Sequence, residues 1–417
     1  MLIISALFLA FLTISGGMFE FKNKSPFVVF FLALMLMSVI PTFLIAFNII
    51  DPLYKKSVYL EATLFSCLYL LSFIFFRFLF INLFSIKNVW INFIKEDNKI
   101  IKSDIILFFI LMLVCIFCFF KGLNITSIKA AFSLNWWDLV HGNSVVLLGT
   151  YFSYISCGFL LLNYLYKGNV YLKNTAYSLI LFFLLFSIFI LKTRSYVLMI
   201  LIPIFVYFLY TKKGMELLKP LIFLFFMSFL FVLARAVRHS FDLNEFLAGD
   251  INESLSNASE GAETTFINAF YYFVSKNNDF FGFGQNFTLK RIIFFWFVDM
   301  KPTEFSYLMH SAYYGSSPSE GLSMHPTIYG DAYGNAWWFG AFIYSIFLSL
   351  YISVLEFLIR IINFKKFIFS LAVFSIISAS ALIFARGAVY NAFMFSFIPI
   401  FFFFVIFMVR NMLKKKV

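Results

Sequence analysis

Long apolar runs alternate with short polar breaks along most of this chain. A transmembrane helix needs about 20 apolar residues, and tilt accommodates somewhat longer or shorter runs. We predict eleven such helices, at residues 2–16, 26–50, 57–84, 104–120, 145–166, 174–192, 195–211, 218–237, 337–361, 367–385 and 388–410. The cut at residues 192–195 separates two helices, and a single kinked helix is the alternative there.

One long polar segment, residues 239–335, interrupts this pattern. It holds 11 of the 20 acidic residues and three of the four histidines. Apolar residues recur at helical spacing in 264–276, which predicts a helix lying on the membrane surface, and 292–298 is too short to span. The chain therefore divides into residues 1–238 with eight helices, a large loop at 239–336 with short amphipathic helices, and residues 337–417 with three helices and a basic tail. A loop of this length is usually functional.

Composition assigns the class. With 62% hydrophobic and only 12% charged residues, the chain is predicted to be an all-α polytopic membrane protein and not a soluble domain. The net charge of +12 comes from basic residues at the ends of apolar runs, where they anchor helices to headgroups, so membrane lipids are expected partners and nucleic acid is not. The four cysteines lie in apolar runs and predict no redox or metal pair.

Basic residues also predict the orientation, because lysine and arginine are retained on the cytoplasmic side. Counted in alternate loops, 18 basic residues lie on the side of the C-terminal tail and 13 on the opposite side, with Arg77 inside a helix. The C-terminus is therefore expected to be cytoplasmic, and the N-terminus and the large loop are expected on the outer side.

Arginine is enriched on that outer side, at helix ends or in tight turns. The planar guanidinium group of arginine binds phosphate through two parallel hydrogen bonds and stays charged. Helix-end anchoring by snorkelling is the alternative for any single one. The candidates for phosphate binding are Arg194, Arg235, Arg238 and Arg386.

A motif stands where the large loop returns to the membrane. Residues 325–335 read HPTIYGDAYGN and run into AWWFG and an apolar helix. A long outer loop that ends in His, Gly, an acidic residue, an aromatic residue and a Gly-x-x-Gly-like helix start resembles the O-antigen polymerase and O-antigen ligase superfamily. The Arg-Ser-Tyr at 194–196 and the Arg-Gly at 386–387 are similar to the helix-end arginines of that family. The resemblance covers the layout of residues 100–410 together with these short motifs.

The resemblance implies a glycosyltransferase of the C-type architecture in the bacterial inner membrane, with its active site facing the periplasm. Polymerases of the family move a growing glycan from undecaprenyl diphosphate onto a lipid-linked repeat unit, so both donor and acceptor are undecaprenyl-diphosphate-linked oligosaccharides. The family also suggests a chain-length regulator protein as a partner. Ligases carry His followed by Asn, whereas Pro326 follows His325 here, and this departure favours a polymerase.

Glycosyl transfer from a diphosphate carrier needs cations for the leaving group and a base for the attacking hydroxyl. The arginines are candidates for the first role. His325, then Asp331, then Glu320 are candidates for the second, although a structural His325 and an Asp331 that caps the ninth helix are the alternatives. The sequence contains no Asp-x-Asp and the acidic residues of the large loop are dispersed, so a metal-assisted scheme has little support. No cofactor is expected.

Two other functions are alternatives on the sequence alone. A lipid-linked oligosaccharide flippase would also be basic and polytopic, but it would show paired halves, buried mid-membrane charges and short loops. A periplasm-facing transferase that adds a single sugar would place acidic residues in the first outer loop, where Asp51 precedes Pro52 in what is more simply a turn.

Overall fold

The computed structural model describes about two thirds of the chain, and all regular secondary structure in that part is helical. The described ranges are 1–95, 170–190, 194–211, 214–218, 262–276, 285–295, 302–315, 323–361 and 367–414, with single positions at 113, 117, 222, 225, 226, 297 and 317.

Thirteen helices are numbered here in chain order within the described ranges. They are α1 (Leu2–Lys22), α2 (Val28–Ala46), α3 (Lys56–Leu83), α4 (Val89–Lys95), α5 (Val170–Leu185), α6 (Arg194–Thr211), α7 (Ala262–Lys276), α8 (Phe287–Ile293), α9 (Phe305–Tyr314), α10 (Thr327–Ala336), α11 (Gly340–Ile361), α12 (Phe367–Arg386) and α13 (Val389–Lys414). A π-helical segment, Met35–Val39, lies within α2, another, Phe186–Ile190, follows α5, and short 3₁₀ helices lie at Gly214–Leu217 and Trp337–Phe339.

Five of these segments are long and apolar enough to cross a membrane. They are α1, α2, α3, the continuous segment Thr327–Ile361 formed by α10 and α11, and Phe369–Arg386 of α12. The chain is thus an all-α membrane protein in the part that the structure describes. Of the eleven predicted spans, 104–120, 145–166 and 218–237 lie almost entirely outside the described residues.

Helix boundaries differ from the predicted ones at several places; the ninth predicted span, for example, begins at Thr327 instead of residue 337. Helix α1 continues to Lys22 instead of ending at residue 16, because the Phe31 ring packs directly on Gly16 and the helix passes through the glycine pair without a break. Between α5 and α6, helical structure ends at Ile190 and resumes at Arg194. The choice between two helices and one kinked helix lies outside the described residues.

The chain forms two compact units. The first comprises residues 1–92, 261–363 and 380–397, and the second comprises residues 93–260, 364–379 and 398–417. In the second unit α6 contacts α5 and the π-helical segment that follows it.

Helix α3 is the centre of the first unit. It packs along both α1 and α11, and the stacked rings of Phe27, Phe30 and Phe73 fill the space beside it. Helix α7 packs against α3 and α10, with Phe270 and Phe273 fully buried. The predicted amphipathic helix at 264–276 therefore exists, and its apolar face contacts protein.

Candidate functional site

Helix α10 is a polar helix that is buried on every side. Its sequence, TIYGDAYGNA, includes Thr327, Asp331 and Asn335, yet all 10 residues are buried. Burying a polar group is unfavourable unless the group finds hydrogen-bond partners. The surroundings of these three side chains therefore decide what the helix contributes.

Asp331 and Asn335 form a hydrogen-bond network with α8. Oδ1 of Asp331 accepts hydrogen bonds from Thr288 Oγ1 at 2.9 Å and from Asn335 Nδ2 at 2.8 Å. The Asn335 carbonyl oxygen Oδ1 accepts the backbone N–H of Thr288 at 3.0 Å. The network fixes the start of α8 against the buried face of α10.

The second oxygen of the Asp331 carboxylate reaches a third element. Oδ2 accepts the backbone N–H of Val389, the first residue of α13, at 3.3 Å. Asp331 itself lies in the middle of α10, so the helix N-terminus that it contacts belongs to α13 and not to the ninth predicted helix. This candidate base therefore holds α8, α10 and α13 together.

His325 lies two residues before α10 and close to Arg386. Its side chain is buried, and Nδ1 has no hydrogen-bond partner among the described residues. Burial lowers the pKa of His325 well below its usual value of 6.5, and the positive charge of Arg386 lowers that pKa further. The imidazole is consequently neutral at neutral pH, and one ring nitrogen is available as an acceptor.

The backbone brings these two residues together through a close contact. Gly387, which follows Arg386, has a φ of 90°, and a Cβ atom there would overlap the carbonyl oxygen of Thr327. Thr327 has a φ of 64°, which is strained for a β-branched residue, and its buried Oγ1 has no hydrogen-bond partner in the described part of the chain. Strain of this kind clusters at functional sites, and here it lies next to an unpartnered imidazole nitrogen.

A second arginine, Arg291, approaches the same turn, although no pattern in the sequence predicted it as part of the site. The Arg291 guanidinium lies over the Tyr390 ring, 4.7 Å from its centroid, and 3.8 Å from the Glu304 carboxylate. Glu304 Oε1 in turn accepts hydrogen bonds from Asn391 Nδ2 at 2.9 Å and from Ser306 Oγ at 2.8 Å. The first residues of α13 thus receive polar contacts from the regions around α8, α9 and α10.

A buried charged cluster lies elsewhere in the first unit. Arg77 of α3 donates hydrogen bonds to Glu20 of α1 at 2.7 Å and to both carboxylate oxygens of Glu356 of α11 at 2.7 Å each. Ser353 accepts a hydrogen bond from Arg77, and Trp90 Nε1 donates one to Glu356. Two carboxylates therefore share one arginine with almost no exposure to solvent. Arg77 was visible in the sequence as a charge within a helix, whereas its partners were not.

The structure places only part of the predicted site. It places the Arg386–Gly387 turn against Thr327, close to His325, and joins Asp331 to the residue that begins α13. Arg194 is the first residue of α6, but its side chain lies outside the described part, as do Arg235, Arg238 and Glu320 altogether. Within the described ranges, no three His, Cys, Asp or Glu side chains cluster closely enough to hold a metal ion.

No protein-family model, no curated protein and no solved structure matches this chain.

Proposed function

We propose that this chain is a polysaccharide polymerase of the bacterial inner membrane, which transfers a growing glycan from undecaprenyl diphosphate onto a lipid-linked repeat unit at the periplasmic face. The observation that carries the proposal is a buried His325 that lies within electrostatic range of Arg386, whose neighbour Gly387 contacts the Thr327 backbone. A neutral acceptor beside a permanent cation matches the two demands of glycosyl transfer from a diphosphate carrier.

In the proposed reaction an acceptor hydroxyl oxygen attacks the anomeric carbon of the donor. The new carbon–oxygen bond forms as the bond between the anomeric carbon and the diphosphate breaks, and its electron pair stays on the diphosphate oxygen. The hydroxyl proton passes to His325, whose Nδ1 has no other partner among the described residues. Arg386 stabilises the negative charge of the departing undecaprenyl diphosphate, without a metal ion.

Binding of the diphosphate also makes His325 a better base. Arg386 is one of the two causes that lower the pKa of His325, after burial. An anion bound to Arg386 offsets that charge, so the pKa of the imidazole rises when the donor arrives. His325 is therefore a stronger base only when the donor diphosphate is bound.

Asp331 is a positioning residue in this proposal. Both of its carboxylate oxygens are engaged, by Thr288, Asn335 and Val389, so it orients α13 and the preceding Arg386 turn against α10. Arg194, Arg235, Arg238 and Glu320 stay candidates for diphosphate binding and for acceptor activation.

One observation favours a second function. A flippase for lipid-linked oligosaccharides is expected to carry buried charges within its helices, and the cluster of Arg77, Glu20 and Glu356 is such a feature. We favour the polymerase. The buried charges of that cluster compensate one another, whereas His325 and Thr327 each have a buried polar atom without a partner in the described part, and such atoms are available to a substrate.

Surface polysaccharide from a strain that lacks this chain separates the two functions. A polymerase deletion is expected to leave surface material capped with a single repeat unit, whereas loss of every repeat would support the flippase. Complementation with Arg386→Ala or Arg194→Ala is expected to leave single-repeat material although the protein still inserts. Arg360, whose guanidinium bonds the Phe84 carbonyl oxygen at 2.7 Å, gives a matched control, and Arg360→Ala is expected to restore normal chain ladders.

A further inference from the structure

Tyrosine rings from three separate segments meet on one face of the first unit. Tyr54 precedes α3, Tyr272 lies on α7, and Tyr313 and Tyr314 end α9. The centroids of Tyr272 and Tyr313 are 4.8 Å apart, those of Tyr313 and Tyr314 are 4.7 Å apart, and His310 lies 4.7 Å from Tyr314. These five residues are called the tyrosine patch below.

The patch is fixed in place yet partly open to its surroundings. The Tyr272 hydroxyl donates a hydrogen bond to the Ala312 carbonyl oxygen at 2.9 Å, which ties α7 to α9. The Tyr314 side chain is 59% exposed, and the other members are half-buried. Burial, together with the nearby Tyr313, Tyr59 and Tyr272, raises the pKa of Tyr54 to about 12, so its hydroxyl stays protonated. The patch therefore presents ring faces and hydroxyl groups.

The patch is continuous with the His325 site through a small hydrophobic core. Met324, the neighbour of His325, packs in one cluster with Leu308 and Met309 of α9, and Tyr313 packs against that cluster. The backbone N–H of Met324 also bonds to the Ser306 carbonyl oxygen at 3.0 Å. From Ser306 to Tyr314, α9 rises roughly 12 Å, at about 1.5 Å for each residue. A short oligosaccharide spans that distance.

We propose that the tyrosine patch binds the saccharide portion of the lipid-linked substrate while its diphosphate lies at Arg386. The inference rests on the proposed function and adds to it a sugar subsite. The face of an aromatic ring is negative and attracts the weakly positive C–H bonds of a pyranose ring, while tyrosine hydroxyls bond sugar hydroxyls. Tyrosine also supplies this contact area at a low cost in conformational entropy.

Anchoring in lipid headgroups is the other role that interfacial tyrosines perform. The geometry favours the saccharide, because the rings converge from three segments into one patch beside the site and contact each other edge to face. A headgroup anchor needs no such convergence.

Binding of two lipids to the purified full-length protein in nanodiscs tests the inference. The probes are undecaprenyl diphosphate and the lipid-linked repeat unit extracted from the deletion strain. Tyr314→Ala is expected to weaken binding of the saccharide-bearing lipid by about threefold to tenfold and to leave binding of undecaprenyl diphosphate unchanged. Tyr314→Phe keeps the ring and loses only the hydroxyl, so it is expected to weaken binding of the saccharide-bearing lipid less than Tyr314→Ala does.

A matched control is Tyr171→Ala, which removes a tyrosine that is 81% exposed and belongs to the second unit. It is expected to bind both probes as the wild type does. Equal weakening of both lipids by Tyr314→Ala would assign the patch to headgroup anchoring, and unchanged binding of the saccharide-bearing lipid would also overturn the inference. Neither result would contradict the polymerase proposal. That proposal fails separately, if the wild-type protein extends no lipid-linked unit.

Discussion

Among single residues, the electrostatic coupling of His325 and Arg386 matters most to the proposed reaction. The sequence singled out His325 because it lies in a polar segment that returns to the membrane. It could not reveal that the imidazole is buried, or that Arg386, 61 positions later, lies beside it, because no periodic pattern connects the two.

Removing the arginine charge should change the titration of His325. In Arg386→Gln the pKa of His325 is expected to rise, since one cause of its depression is lost, but to stay below 6.5 because burial remains. The histidine ring resonances, assigned by comparison with His325→Gln, report this pKa in a pH titration by nuclear magnetic resonance. Arg360→Gln serves as the control, and an unchanged pKa in Arg386→Gln would refute the coupling.

The same depressed pKa makes stability depend on pH. The contribution of His325 is fully present above the unfolded pKa of about 6.5 and is lost as pH falls from there toward the lower pKa of the folded state, because the unfolded chain then binds a proton that the folded chain does not. Thermal unfolding in detergent at about pH 7.5 and about pH 5.5 is expected to show a smaller pH effect for His325→Gln than for the wild type. Equal pH effects in the two proteins would argue against a buried neutral imidazole.

Among the helices, the turn between α12 and α13 packs on the start of α10, where Gly387 contacts the Thr327 backbone. The Arg-Gly pair was recognised in the sequence, but its function as a steric fit to the Thr327 carbonyl depends on two segments distant in the chain. The contacts of helix α7 were likewise not predictable from the sequence. Its helical period predicted an apolar face, and only packing could show that α3 and α10 cover that face.

Gly387→Ala should abolish activity, whereas Gly315→Ala should retain it, because only the alanine at position 387 overlaps a neighbouring segment. Both glycines have positive φ angles, 90° and 74°, so each alanine costs about 1–2 kcal/mol of backbone strain. Only at position 387 would the added Cβ also overlap Thr327, because nothing lies within 4 Å of a Cβ at position 315. Product ladders and thermal unfolding of the two variants measure the difference. Equal loss of activity would show that the fit to Thr327 does not matter.

At the scale of the whole molecule, the apolar pattern predicted most described helices because bilayer thickness fixes their length. The pattern could not predict the pairing of Arg77 with Glu20 and Glu356, which lie 57 and 279 positions away. Glu20 was assigned to a loop because α1 was predicted to end at residue 16, and Glu356 lies in an otherwise apolar run. The pattern of apolar residues along one helix does not predict which other helices it contacts.

The charged cluster should be a major determinant of stability. Arg77→Met leaves two buried carboxylates without a counter-ion and is expected to destabilise the protein by about 3–5 kcal/mol. Adding Glu20→Gln and Glu356→Gln to that variant removes the uncompensated charges and should restore part of the stability, as measured by thermal unfolding in detergent. If the triple variant is no more stable than Arg77→Met, charge compensation is not what the cluster provides.

Extension of a lipid-linked repeat unit by the purified protein in nanodiscs is the decisive assay for the proposed polymerase. We expect the wild type and Arg360→Gln to convert the lipid-linked unit into a ladder of longer glycans, and we expect that His325→Gln and Arg386→Gln, although folded, do not. A wild-type protein that leaves the unit unextended, or a His325→Gln variant that produces the wild-type ladder at the wild-type rate, would contradict the proposal.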